Sequence, residues 1–166
     1  MHHHMAYPPY RIHDQGVCHT CKGDLMQPPR NYADPAQTAY ITAGVLRFGI
    51  EYRRLQNDHG ICIHVFRGPD DQQDEVLRFD CFERQPHYHY AWSKNDHYVP
   101  LDTAAEGDPL QWTLARLQTH LPAMLLRAGE PDLARALDQQ DIDAALQKIA
   151  AWADALQAQA RQQGGA

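Results

Sequence analysis

The chain lacks a long apolar run: none of its 166 residues lie in a hydrophobic stretch that approaches the length of a membrane span. No secretory leader is legible either, because Ala6-Tyr7-Pro8-Pro9-Tyr10-Arg11 offers no apolar h-region. There is no internal repeat. A surplus of positive charge is also missing. The formal net charge is -6, which disfavours nucleic-acid binding through bulk electrostatics. Four cysteines are too few for a disulfide-dense scaffold of this length. These absences lead us to expect a cytoplasmic protein with reduced thiols and no membrane partner. In that setting the cysteines point to metal binding or redox chemistry more than to a disulfide framework.

What is present fits a globular protein. Hydrophobic residues make up 43% and charged residues 22% of the chain. A domain of this size buries roughly 70% of its unfolded surface. Met1-His2-His3-His4-Met5 reads as a purification-tag remnant and is set aside. Residues 6–38 form an irregular arm rich in Pro, Asp, Gln and Asn. Residues 39–101 carry strand patterning, residues 102–160 helical patterning, and residues 161–166 a disordered tail; fraying is expected from Gln157. The pattern predicts a single α+β domain: a four- or five-stranded antiparallel meander followed by C-terminal helices packed on one face. Tyr40–Leu55 reads as strand with bulges or bends at Gly44 and Gly49. Further strands are expected over Ile61–Phe66, Glu75–Glu83 and Pro86–Trp92, and His97-Tyr98-Val99 extends the sheet. Asp108-Pro109 opens a helix bearing Leu110, Leu114, Leu117 and Leu121, with Pro122 as a kink or break. A short helix follows Glu130-Pro131, and a third begins at Asp141.

The chemistry concentrates in Arg78-Phe79-Asp80-Cys81 and Pro86-His87-Tyr88-His89-Tyr90. Side chains alternate across a strand, so His87 and His89 share one face and Tyr88 and Tyr90 the other. A two-residue turn at Arg84-Gln85 sets Asp80 opposite His89 and Phe79 opposite Tyr90. Two imidazoles and a carboxylate then form a two-histidine, one-carboxylate face with open coordination positions, suited to Zn2+, Fe2+ or Cu2+. Asp80, His87 and His89 are the candidate catalytic residues. His97 is a further candidate ligand, since only a short turn separates it from the fourth strand. Arg78 shares the face with Asp80 and is the candidate for binding an anionic substrate. The plain alternative is a cross-strand ion pair on a sheet surface.

Cys18-His19-Thr20-Cys21-Lys22-Gly23 has the spacing of half a zinc site. A symmetric hairpin centred near Asp71-Gln72 pairs Cys62 with Cys81, His64 with Phe79 and Phe66 with Leu77. Opposed Cβ atoms lie about 5 Å apart, close enough for two thiolates to share an ion. Cys18, Cys21, Cys62 and Cys81 then form one structural Zn2+ site that fastens the arm, with His64 or His19 able to replace one thiolate. The alternative is that Cys62 and Cys81 are small core residues.

Val76 to Leu117, with Arg78-Phe79-Asp80, Pro86-His87-Tyr88-His89-Tyr90 and Asp108-Pro109-Leu110-Gln111-Trp112-Thr113-Leu114, resembles a family of uncharacterised bacterial domains. The Arg-Phe-Asp strand followed by a histidine-rich strand is more distantly similar to small toxins of the TumE type. Neither resemblance implies a site residue here. Three functions are expected to compete: a metal-dependent enzyme acting on a small molecule, a zinc-stabilised module that binds a protein, and a metal-independent toxin-like ribonuclease.

Overall fold

A computed structural model describes residues 33–68, 74–90 and 96–164. Among them six strands form one antiparallel sheet in sequence order: β1 (Ala39–Ala43), β2 (Leu46–Arg54), β3 (His59–Arg67), β4 (Glu75–Phe82), β5 (His87–Tyr90) and β6 (His97–Pro100). The α+β class holds, but the strand count exceeds the expected four or five. The extra strand arises at Gly44, whose φ of 56° makes it a hairpin turn. The stretch expected as one bent strand therefore folds back as β1 on β2. Gly49 remains within β2. A methyl group there would press on Tyr40, Phe66 and Thr38, so glycine is what lets those side chains cross the backbone.

Four helices follow among the described residues: α1 (Thr103–Glu106), α2 (Pro109–Arg127), α3 (Pro131–Arg135) and α4 (Gln139–Gly164). Asp108 caps α2 by accepting from the backbone N–H of Gln111 at 2.9 Å, with Pro109 in the first turn. Pro122 does not break α2. The proline removes the donor that would reach the Gln118 carbonyl, and Gln139 Nε2 donates to that oxygen instead at 3.2 Å. The tail expected to fray from Gln157 is helical as far as Gly164. No helix among the described residues is long and apolar enough to cross a membrane.

The helices cover one face of the sheet. Leu46, Phe48 and Ile50 of β2, Ile61, Ile63 and Val65 of β3, and Leu77 and Phe79 of β4 pack against Leu117, Leu121, Leu125, Ile142 and Ile149. Tyr88 and Tyr90 point to this side as expected, and Tyr88 stacks on Phe79 with centroids 5.8 Å apart. The opposite face is unusual. It carries Arg47, Glu51, Arg53, Cys62, His64, Arg78, Asp80 and His89, each no more than 8% exposed. β2, β3 and β4 are thus buried on both sides, apolar on one and ionisable on the other. Burying charge is costly unless partners compensate it, so the second face is stable only where its charges are paired.

Candidate metal centre

Register decides which groups meet. β4 pairs with β5 through Asp80↔His87, Arg78↔His89 and Phe79↔Tyr88. The expected partner of Asp80 was His89, two residues further on. The turn sits one residue earlier because Asp58, between β2 and β3, accepts from the backbone N–H groups of Arg84 and Gln85 at 3.0 and 2.9 Å. A two-residue slip leaves every side chain on its original face. Asp80, His87 and His89 therefore do converge: Asp80 Oδ2 lies 3.1 Å from His87 Nε2 and 3.5 Å from His89 Nε2. Arg78 joins them, donating from Nε to Asp80 Oδ2 at 2.9 Å, with Nη2 3.0 Å from His89 Nε2.

The β3–β4 register overturns the four-cysteine site. Cys62 pairs with Asp80, and Cys81 pairs with Ile61. The physical reason is a bulge. Val65 pairs with Leu77 while Phe66 pairs with Glu75, so β4 carries one extra residue at Val76. That single residue inverts the pleat for everything after it. Cys81 turns to the helix side, where its Sγ lies 3.3 Å from Thr113 Oγ1, and Cys62 turns to the ionisable side. Two thiolates on opposite faces cannot share an ion. Burial pushes the Cys81 thiol up to about 12, as expected of a core residue. Cys18 and Cys21 lie outside the described residues. His97 is also misplaced for a ligand: it pairs with Tyr90 and shares its face, away from Asp80. Asp96, one residue earlier, reaches the cluster from behind the ring instead, with Oδ1 2.5 Å from His89 Nδ1.

The same bulge brings together residues that the sequence reading did not join. Cys62 Sγ donates to Asp80 Oδ1 at 3.0 Å and lies 3.3 Å from His64 Nε2. His64 Nε2 is 3.1 Å from Glu51 Oε1, and His64 Nδ1 donates to Glu75 Oε1. Arg53 Nε donates to Glu51 Oε1 at 2.6 Å. A signal for this row existed. Glu51 in β2, Cys62 and His64 in β3, and Arg78 and Asp80 in β4 each lie between apolar neighbours, and Arg53 continues the row two residues after Glu51.

Charge states follow from these contacts. Burial alone would raise the Asp80 carboxyl, but hydrogen bonds from His87 and His89 and the charge of Arg78 hold it well below the usual carboxylate range. Burial likewise opposes ionisation of Glu51, yet His64 and Arg53 bring it down to about 2. Burial and the neighbouring Asp80 charge push the Cys62 thiol well up. Burial would depress His64, but its bonds to Glu51 and Glu75 outweigh that and raise it.

Each of the three imidazoles has an oxygen acceptor on its Nδ1 side. His87 Nδ1 faces the Gln85 carbonyl at 2.7 Å, His89 Nδ1 faces Asp96, and His64 Nδ1 faces Glu75. In a neutral ring the hydrogen then sits on Nδ1 and the lone pair on Nε2. With the hydrogen on Nδ1 alone, the Nε2 lone pairs of His87 and His89 would meet Asp80 and that of His64 would meet Glu51, acceptor against acceptor, whereas the hydrogen bonds that hold those two acids low need a proton on Nε2 as well. Such contacts need a cation between them: a second proton on the ring, a guanidinium, or a metal ion. Among the described residues, two groups have donor atoms close enough to hold an ion, Asp80-His87-His89 and Glu51-Cys62-His64. The first is the more open, since His87 is partly exposed and Tyr98, half exposed, packs over both rings at 4.5 and 5.5 Å. A cleft of about 460 Å3 between β5 and α2, lined by Tyr88, Tyr90 and Trp112, lies on the other side of the strand and does not reach this cluster.

No curated protein and no solved structure matches the chain. Residues 40–153, from β1 into α4, match a family described as a domain of unknown function (DUF7700). The match is far wider than the segment from Val76 to Leu117, and it is not to toxins of the TumE type. Both donor groups lie within it, and the chain, a histidine-bearing meander closed by helices, belongs to that family.

Proposed function

We propose that the protein is a metal-dependent enzyme whose centre is Asp80, His87 and His89, acting on a small molecule that enters past Tyr98. The observation that supports it most is the placing of the ring nitrogens. Both Nδ1 atoms face oxygens and both Nε2 atoms converge on one carboxylate oxygen. Metal-bound histidines are held in this way, with the far nitrogen donating to a carboxylate or carbonyl. Spacing agrees. Ligand bonds of about 2.0–2.2 Å set neighbouring donor atoms roughly 3.0–3.5 Å apart in octahedral or tetrahedral shells, and the observed separations are 3.1 and 3.5 Å. Three ligands leave positions free, so an ion there would act as a Lewis acid or activate water. Arg78, already beside the acid, orients an anionic substrate group by charge.

A second reading rests on one contact. Arg78 Nη2 lies 3.0 Å from His89 Nε2, so the guanidinium already answers that lone pair. The cluster then works without metal, with His87 as the acid or base. Metal content decides between the two. In protein with His2, His3 and His4 replaced by serine, the enzyme reading expects one equivalent of Zn2+, Fe2+ or Cu2+ that disappears in both His87→Ala and His89→Ala. Metal content unchanged by both substitutions would sink it.

A further inference from the structure

We infer that Glu51, Cys62 and His64 form a second divalent-ion site, closed and structural, for a thiophilic ion such as Zn2+. None of its three ligands belongs to the Asp80–His87–His89 centre, so it stands or falls separately. The donor atoms come from two paired strands. Glu51 and Cys62 are direct cross-strand partners, and His64 lies two residues along β3 on the same face. Glu51 Oε1 is 3.1 Å and Cys62 Sγ 3.3 Å from His64 Nε2. These are the separations expected of atoms that share an ion with bonds of about 2.0–2.3 Å.

Charge and surroundings fit as well. The Cys62 thiolate and the Glu51, Glu75 and Asp80 carboxylates, set against the Arg53 and Arg78 guanidinium groups, leave two negative charges, which match one divalent cation in a place where water cannot screen any excess. All three residues are 0% exposed. A sulfur donor beside imidazole favours zinc-like ions over magnesium or calcium. Two of the three ligands are held from behind: His64 Nδ1 by Glu75, and Glu51 Oε2 by the Thr38 hydroxyl at 3.2 Å and the Asp34 N–H at 3.3 Å. Arg53 Nε donates at 2.6 Å to Glu51 Oε1, the same oxygen that would face the ion, so that oxygen would be shared between the guanidinium and the ion. The raised thiol does not oppose the assignment. Binding replaces the Cys62 proton with the ion, and that proton leaves to the buffer. Asp80 is the nearest further donor, its Oδ1 3.0 Å from Cys62 Sγ while its Oδ2 faces His87. One carboxylate therefore touches both donor groups. The buried ion would tie β2 to β3 and fix the orientation of Asp80 from below.

Cobalt provides the test, because a thiolate bound to Co2+ gives a charge-transfer absorption that imidazole and carboxylate ligands do not. The full chain, with His2, His3, His4, Cys18 and Cys21 changed to serine, is expressed in cobalt medium under reducing conditions. The expected result is about two cobalt ions per chain with the thiolate band present. The band survives Cys81→Ser and His87→Ala, and the latter lowers the count to about one. Cys62→Ser removes the band. Because the band is first read with Cys62 intact, the test does not depend on that variant folding. Cobalt that is lost in His87→Ala and never shows the band overturns this site and leaves the outer centre standing. A band with no loss of cobalt in His87→Ala supports this site and removes the outer one. No cobalt in any form overturns both.

Discussion

Phe79 and Asp80 are neighbours on β4, each 1% exposed, and they sit in two different kinds of interior. Phe79 faces the helices among leucines and isoleucines, where close packing does the stabilising. Asp80 faces a layer of imidazoles, guanidinium groups and a thiol, where every group depends on its partner. Burial alone does not distinguish a core from a site. The apolar side tolerates any filling of the right shape, whereas the ionisable side is stable only as a compensated set.

The sharpest way to break this comparison is to damage each side by one residue. Phe79→Ala should cost about 3–5 kcal/mol in urea unfolding and leave metal content per folded chain unchanged. Asp80→Leu should cost a comparable amount, about 3–5 kcal/mol, because Arg78 loses its carboxylate in a buried setting. It should also abolish the His87-dependent metal. If Asp80→Leu were nearly neutral in denaturant melts, the ionisable layer would not be a mutually compensated one.

A smaller and more diagnostic effect is expected from the pair. Arg78→Leu/Asp80→Leu should be less destabilised than Asp80→Leu alone, by about 1–3 kcal/mol, since both charges leave together. A double variant worse than either single would show that the layer is held by something other than this ion pair. Chelation comes next. A strong chelator should lower the melting temperature of the unsubstituted protein by several degrees and change that of Cys62→Ser less. Equal shifts in both would remove the buried ion from the account.

The smallest effect lies at the surface. Asp58 is lowered from 3.8; burial acts against this, and N–H donors from Arg84, Gln85 and His59 outweigh it. A folded pKa below the unfolded one gives stability that is present above about 4 and lost as pH falls through the folded value. Asp58→Ala should cost about 1 kcal/mol near neutrality and flatten the acid limb of the stability profile. An acid limb identical to the parent's would mean these turns are not fastened through Asp58.

How much of this was legible from the chain turns on parity. The alternation of Asp80 with Phe79, and of His87 and His89 with Tyr88, carried the outer centre through a wrong turn assignment, because the error was two residues. The thiol pairing failed because the error there was odd. A bulge at Val76 has no side-chain signature, and a symmetric hairpin was the simplest reading of the loop beside it. His97 failed for the same kind of reason: the Asp96 carboxylate sits one position earlier on the face that matters. The helices were easier, since caps and apolar spacing at Asp108, Pro109, Leu117 and Leu121 are local signals. Gly44 was seen as a bend and proved to be a full reversal, which added β1.

The bulge at Val76 behaves as a phase switch for the ribbon. It lets Glu75 and Asp80, an odd number of positions apart on β4, face the same ionisable layer. Deleting Val76 would restore plain alternation and leave Arg78 and Asp80 on the face they now occupy, so the ribbon can lose that one residue without moving its acid or its inner sulfur.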